Sequence, residues 1–142
     1  ALHEALQAVA GEQRAAEVSR EAGRLTAVYL LAHRIPRLAQ RALRILPLAL
    51  STRILLRAIE RHAWTFVGSG RFGYGFDPGL AIRIENSPIA RLLSTHGPAC
   101  TYYAAVFETV FSVALAASAD VHETECTACG NVSCRFEIRL SR

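Results

Sequence analysis

Glu123-Thr-Glu-Cys126-Thr-Ala-Cys129-Gly-Asn-Val-Ser-Cys134-Arg-Phe136-Glu-Ile138-Arg-Leu140 carries two patterns at once. From Cys134 onward, Cys134, Phe136, Ile138 and Leu140 alternate with Arg135, Glu137 and Arg139. That period of two predicts an antiparallel strand with one buried and one wet face. Thr-Ala-Cys-Gly-Asn ahead of it reads as a turn, so strands over about 119–125 and 133–140 are expected to close the chain. Laid over this hairpin are three of the four cysteines, with Glu123 three residues before the first; the fourth is Cys100.

Cysteines packed this densely in one segment point to a metal site or a redox pair. Thiolates are soft ligands, and a closed set of sulfur with one oxygen or nitrogen suits zinc. Free cysteine also serves as a small buried hydrophobe, and a disulfide stays open at this point. Glu123 and Cys126 have opposite strand parity. Both reach one ion only if Cys126 has left the strand and entered the turn. Cys100 falls in the expected first turn of a helix that begins at Pro98 and runs to about Ala117. There, unpaired N–H groups and the helix dipole favour a thiolate. Tyr103, Phe107, Val110, Phe111 and Ala114 share one face of that helix, which is expected to be the main core helix.

Upstream, Leu80, Ile82 and Ile84 alternate with Ala81, Arg83 and Glu85 and predict another strand, ended by Asn86-Ser-Pro88. Residues 87–97 read as a loop. Before them, His62, Trp64 and Phe66 alternate as a strand would, followed by a glycine-rich run from Gly68 to Gly75. Gly68, Gly70 and Gly73 spell a dinucleotide fingerprint, but no helix pattern opens inside the run, so that reading is rejected. A bend, bulge or close approach to a bound group is the expectation.

Residues 37–46 and Pro47 to about His62 predict two helices, with Pro47 in the first turn of the second. Arg34, Arg37, Arg41 and Arg44 form one arginine stripe and Arg53, Arg57 and Arg61 a second. A solvated face, carboxylate recognition and contact with anionic lipid are all compatible with them. Residues 1–36 read as an N-terminal helical segment, broken near Gly11 or Gly23, ahead of a compact unit over 37–142. Leu25, Val28, Tyr29 and Ala32 are spaced as its apolar face, for packing or a homodimer contact.

The 142 residues are enough for one domain burying roughly two thirds of its unfolded surface. All sixteen basic residues are arginine, yet the net charge is only +4 and no basic run occurs. Nucleic acid is therefore not an expected partner. No signal-peptide pattern and no apolar run of about 20 residues appear, so a cytoplasmic, reducing setting is expected, which favours metal over disulfide.

His62-Ala-Trp-Thr-Phe-Val-Gly-Ser-Gly70, Thr101-Tyr-Tyr-Ala-Ala-Val-Phe-Glu-Thr-Val-Phe111 and the Cys126–Phe136 tail resemble the 4-vinyl reductase family of bacteriochlorophyll biosynthesis, the J protein of that pathway. The resemblance covers roughly residues 20–140. The tail alone resembles the broader domain found in phenol-responsive sensors and related to Golgi transport-particle subunits. The fold so implied is α+β, a four-stranded antiparallel sheet with helices packed on it and a cavity between. The sensors hold zinc by three cysteines and a glutamate, which places the ligands here on Cys100, Glu123, Cys126 and Cys134, with Cys129 in place of Glu123 as the alternative.

The family name implies an enzyme that reduces a vinyl group on a chlorophyll precursor. A reductase needs an electron source, and no nucleotide or cluster motif is present. The expected role is therefore a tetrapyrrole-binding accessory protein that hands a precursor to pathway enzymes, at or near the photosynthetic membrane. Vinyl reduction and small-molecule sensing are the alternatives. Trp64, Phe66, Tyr102, Tyr103 and Phe107 are expected to stack on the macrocycle and Arg53 and Arg57 to meet its propionates. His62, His96 or His33 is expected to reach a central metal ion.

Overall fold

The computed structural model describes residues 2–90 and 100–142, with side chains from residue 5. Most of the expected 87–97 loop, the helix start at Pro98, and His96 lie outside the described residues. The helices are α1 (Leu2–Ala10), α2 (Glu12–His33), α3 (Arg37–Ile45), α4 (Leu48–His62), α5 (Trp64–Val67) and α6 (Thr101–Leu115). The strands are β1 (Arg71–Gly75), β2 (Ala81–Glu85), β3 (Ser118–Glu125) and β4 (Ser133–Ser141). They form one antiparallel sheet in the order β1-β2-β4-β3. The architecture is thus the expected α+β sheet with helices packed on it.

β4 pairs with both β2 and β3, so its alternation decides the whole sheet. Cys134, Phe136 and Ile138 are buried and Glu137 and Arg139 exposed, as the period of two requires. α6 lies on the buried face. Phe107 packs edge-on to Phe136 at 5.5 Å and against Phe72 at 6.3 Å between ring centroids. Arg142, just past β4, donates to the carbonyls of Leu43, Leu46 and Leu115 and so ties the ends of α3 and α6 together.

Three expectations change. Residues 62–68 are helical. Ala63 and Val67 are the buried pair, four apart, and Val67 N–H donates to the Ala63 carbonyl at 2.8 Å. The helical period wins because one side only of this short turn meets the core, which leaves Trp64 at 68% exposure. The first strand instead lies in the glycine run. Phe72 and Tyr74 face inward opposite Ile84 and Ile82, while Gly73 and Gly75 occupy the outer face. Gly70 is required here, since a Cβ would stand 2.7 Å from Val67 Cγ1.

The third change concerns α2. The helix break falls at Gly11. Beyond it the buried residues are the small ones, Ala15, Gly23 and Ala27, with Leu31, whereas Leu25, Val28 and Tyr29 are exposed. α2 packs closely along α6, and a Cβ at position 23 would run into the Tyr102 carbonyl oxygen. Close approach of the two backbones selects small residues at the contact and turns the larger ones outward. Among the described residues no helix is long and apolar enough to cross a membrane.

Candidate functional site

Three elements converge on one point. Cys100 caps the N-terminus of α6, Glu123 lies near the end of β3, and Cys134 is the second residue of β4. Cys126 follows β3, where the β3–β4 register shifts between Glu123 and Glu125. That irregularity resolves the parity conflict: Cys126 has left the strand and turned its side chain inward. Its position is held by the Asn131 side chain, whose Oδ1 accepts from Cys126 N–H at 3.1 Å. The ligand atoms of Cys100, Glu123, Cys126 and Cys134 all lie within 4.8 Å of one another. Cys129 is exposed and stands outside the set.

The chemistry of this set fits a metal ion. Cys100 Sγ and Cys134 Sγ are 3.4 Å apart. Hydrogen bonds to Cys126 and Cys134 push the Cys100 thiol up, while the hydrogen bond from Cys100 holds Cys134 down. Without a cation, the acids of this buried cluster cannot all ionise together. Burial likewise pushes Glu123 up to about 8. Glu123 Oε2 accepts from Cys100 N–H at 3.0 Å, yet Glu123 Oε1 is buried with no hydrogen-bond partner among the described residues. A divalent cation would permit ionisation of the thiols and the carboxyl and would supply Oε1 with a partner.

A second feature is an apolar pocket of about 360 Å³ between α3, α4 and α6, closed at one end by the last turns of α2. Ile35, Leu43, Leu55, Ile59 and Val110 supply walls, and Ala39, Ala42 and Ala58 supply the space. Polar groups are few: Arg34, His62 and Thr65. Of the residues expected to bind a ligand, His62, Phe66 and Phe107 line this pocket. The other five lie elsewhere. Tyr103 is fully buried in the core, and the Tyr102 hydroxyl donates to Thr26 Oγ1 on α2. Trp64 faces solvent, Arg53 stacks on Phe76 at 4.8 Å, and Arg57 is exposed on α4. His33 stacks with Tyr29 at 4.5 Å. Sequence reasoning places Arg34 in an arginine stripe but assigns the propionate contact to Arg53 and Arg57, whereas Arg34 is the arginine that lines the pocket. Paired alanines at 39 and 42 are the legible signal of space.

Residues 80–140, which hold β2, α6, β3, nearly all of β4 and the four candidate ligands, match the 4-vinyl reductase domain family. That match spans 61 of the chain's 142 residues. Two curated relatives are each called bacteriochlorophyll synthase 23 kDa chain. The one from Cereibacter sphaeroides is 44% identical over 126 residues, covering 89% of this chain and 61% of that protein. The one from Rhodobacter capsulatus is 40% identical over 137 residues, covering 96% and 63%. The chain therefore spans just over three fifths of the length of these relatives.

Solved structures share its fold. The phenol-responsive sensory domain of the transcription activator PoxR, solved with phenol, matches with a TM-score of 0.70 at 18% identity, covering 96% of this chain and 70% of that one. A trafficking protein particle complex subunit 3 from Naegleria fowleri, bound covalently to palmitic acid, gives 0.67 at 12% identity, covering 99% and 89%. A vinyl-4-reductase family protein from Methanocaldococcus jannaschii gives 0.51 at 17%, covering 61% and 57%. At these identities the likeness concerns the fold alone.

Proposed function

We propose that this chain acts in bacteriochlorophyll biosynthesis as a tetrapyrrole-binding accessory protein, with a structural zinc at Cys100, Glu123, Cys126 and Cys134. The observation that carries the role is the 44% identity, over 89% of the chain, to a protein named bacteriochlorophyll synthase 23 kDa chain. The pocket supports the ligand class. It is apolar over most of its wall, carries aromatic edges at Phe66 and Phe107, and has one cation and one imidazole, Arg34 and His62, among its few polar groups.

At about 360 Å³ it lies near the lower end of the usual range for ligand pockets. It would take one edge of a macrocycle with its substituents and leave the rest open to a receiving protein. Arg34 would then pair with a propionate and His62 would approach the ring. The zinc is assigned from the donors, three thiols and one carboxylate, and from the closed, buried geometry of a structural site. It would bind helix to hairpin and so hold α6 in place as one wall of the pocket.

The test is a titration of the purified protein with free-base and magnesium porphyrins, followed by absorption and fluorescence. A Soret shift and quenching with a micromolar or lower dissociation constant is the expected outcome, about −8 kcal/mol or stronger. No spectral change at tens of micromolar overturns the reading.

A further inference from the structure

We infer that the α3–α4 face is a docking surface for an anionic lipid bilayer, seated so that the pocket mouth opens toward the membrane. This goes beyond the tetrapyrrole reading and does not depend on it. The first observation is the distribution of charge. Residues 33–62 hold seven arginines and one carboxylate, Glu60. That is net +6 within a chain of net +4, so the remainder is net −2. The basic charge of the molecule is thus concentrated on the segment that frames the pocket, with six of the seven arginines on α3 and α4 and Arg34 at the end of α2.

The second observation is that large apolar side chains stand exposed among these arginines. Leu38 is 76% and Ile45 84% exposed on α3, and Leu50 and Ile54 are exposed on α4. Ile54 itself lines the pocket, Leu38 adjoins the lining residue Ala39, and Ile45 sits one turn beyond the lining residue Ala42. Arg41 and Arg57 are exposed and make no ion pair among the described residues.

A water-facing helix gains nothing from exposed leucine and isoleucine. Arginine beside exposed aliphatic groups is the composition of an interfacial helix, whose apolar side chains enter the acyl boundary while the guanidinium groups bind lipid phosphates. Each basic residue near such a surface adds a comparable increment of attraction, and several together suffice for reversible binding. An acidic protein would satisfy the charge but leaves the four aliphatic side chains unexplained. A second copy of the chain would bring the same arginines against themselves.

The experiment is sedimentation of the ligand-free protein with vesicles of phosphatidylcholine, alone or with phosphatidylglycerol at one part in three. Binding is expected to the mixed vesicles only and to weaken with salt. Arg41→Glu with Arg57→Glu should weaken it by about 30-fold or more. Leu38→Asp with Ile45→Asp should weaken it by at least roughly tenfold while leaving circular dichroism unchanged, since both side chains are exposed. Three results would overturn the proposal: no binding to mixed vesicles at low salt, binding that the aspartate variant retains in full, or self-association without vesicles that the same substitutions abolish. Porphyrin binding by the variants is read separately, so failure here leaves the ligand reading to its own titration.

Discussion

The backbone N–H of Cys100 donates to Glu123 Oε2 at 3.0 Å, which ties the start of α6 to the end of β3. One carboxylate oxygen is thereby fixed by the helix, and the other, Oε1, is left buried without a hydrogen-bond partner among the described residues. The bond orients the carboxylate before any ion arrives, a positioning contact that preserves the geometry of the ligand set.

Metal content is the first consequence. Protein purified without chelator should carry about one zinc per chain, read by elemental analysis. Cys126→Ser and Cys134→Ser should lose it and unfold at much lower urea, because metal binding contributes directly to folding. Cys129→Ser should retain the metal, since that side chain stands outside the set. Retention by Glu123→Ala with loss in Cys129→Ser would overturn the assignment in favour of four sulfurs.

Metal uptake should also release protons. Burial raises Glu123 to about 8 in the metal-free protein, and Cys100 is raised as well by its hydrogen bonds to Cys126 and Cys134. At pH 7 these groups hold protons that a bound cation must displace. Protons thus compete with metal, and apparent affinity falls as pH is lowered, more steeply once Glu123 also takes up its proton below about 8. Calorimetry in two buffers of different ionisation enthalpy would show the release; identical heats would contradict it.

The pocket can be filled without touching the metal centre. Ala58→Phe should occupy space now open between α3 and α4 and abolish porphyrin binding while the protein keeps its zinc. Arg34→Ala should weaken the propionate form about tenfold more than its methyl ester, equivalent to about 1.4 kcal/mol. Equal losses for acid and ester would remove Arg34 from carboxylate recognition.

Two aromatic truncations should separate core from surface. Phe136→Ala should cost about 3–5 kcal/mol, since the ring is fully buried against Tyr103 and Phe107. Trp64→Ala should change stability by no more than about 0.5 kcal/mol, because most of the ring is already in water. Urea unfolding measures both, and a Trp64 cost comparable to that of Phe136 would show that its environment is buried in solution.

Turnover provides a separate test of the accessory role. Protein supplied with NADPH and a divinyl substrate should produce no monovinyl product, monitored by chromatography. The sequence has no nucleotide fingerprint in a strand–helix context, and its glycine run is the strand β1. Steady product formation by this chain alone would make it a reductase.

Period two in the sequence reveals the strand β4, and the cysteines with Glu123 mark out metal donors, among which the family resemblance singles out Cys100, Glu123, Cys126 and Cys134 and leaves Cys129 as the alternative. Alternation from Cys134 to Leu140 needs only period two to be read, and thiols with a carboxylate announce their chemistry by type. α6 was legible for the same reason, its aromatic face repeating at helical spacing. Tertiary structure alone decided the rest. Ala63 and Val67 reach the core whereas Trp64 does not, because only one side of that turn has a neighbour. In α2, Gly23 and Ala27 face α6 and Leu25 and Tyr29 face water, since the tight helix contact has no room for large side chains. The pocket arises where small residues on α3 and α4 oppose one another. A residue's type and spacing are local, but burial and empty space depend on what packs against it, and that partner is supplied by distant segments only once the chain has folded.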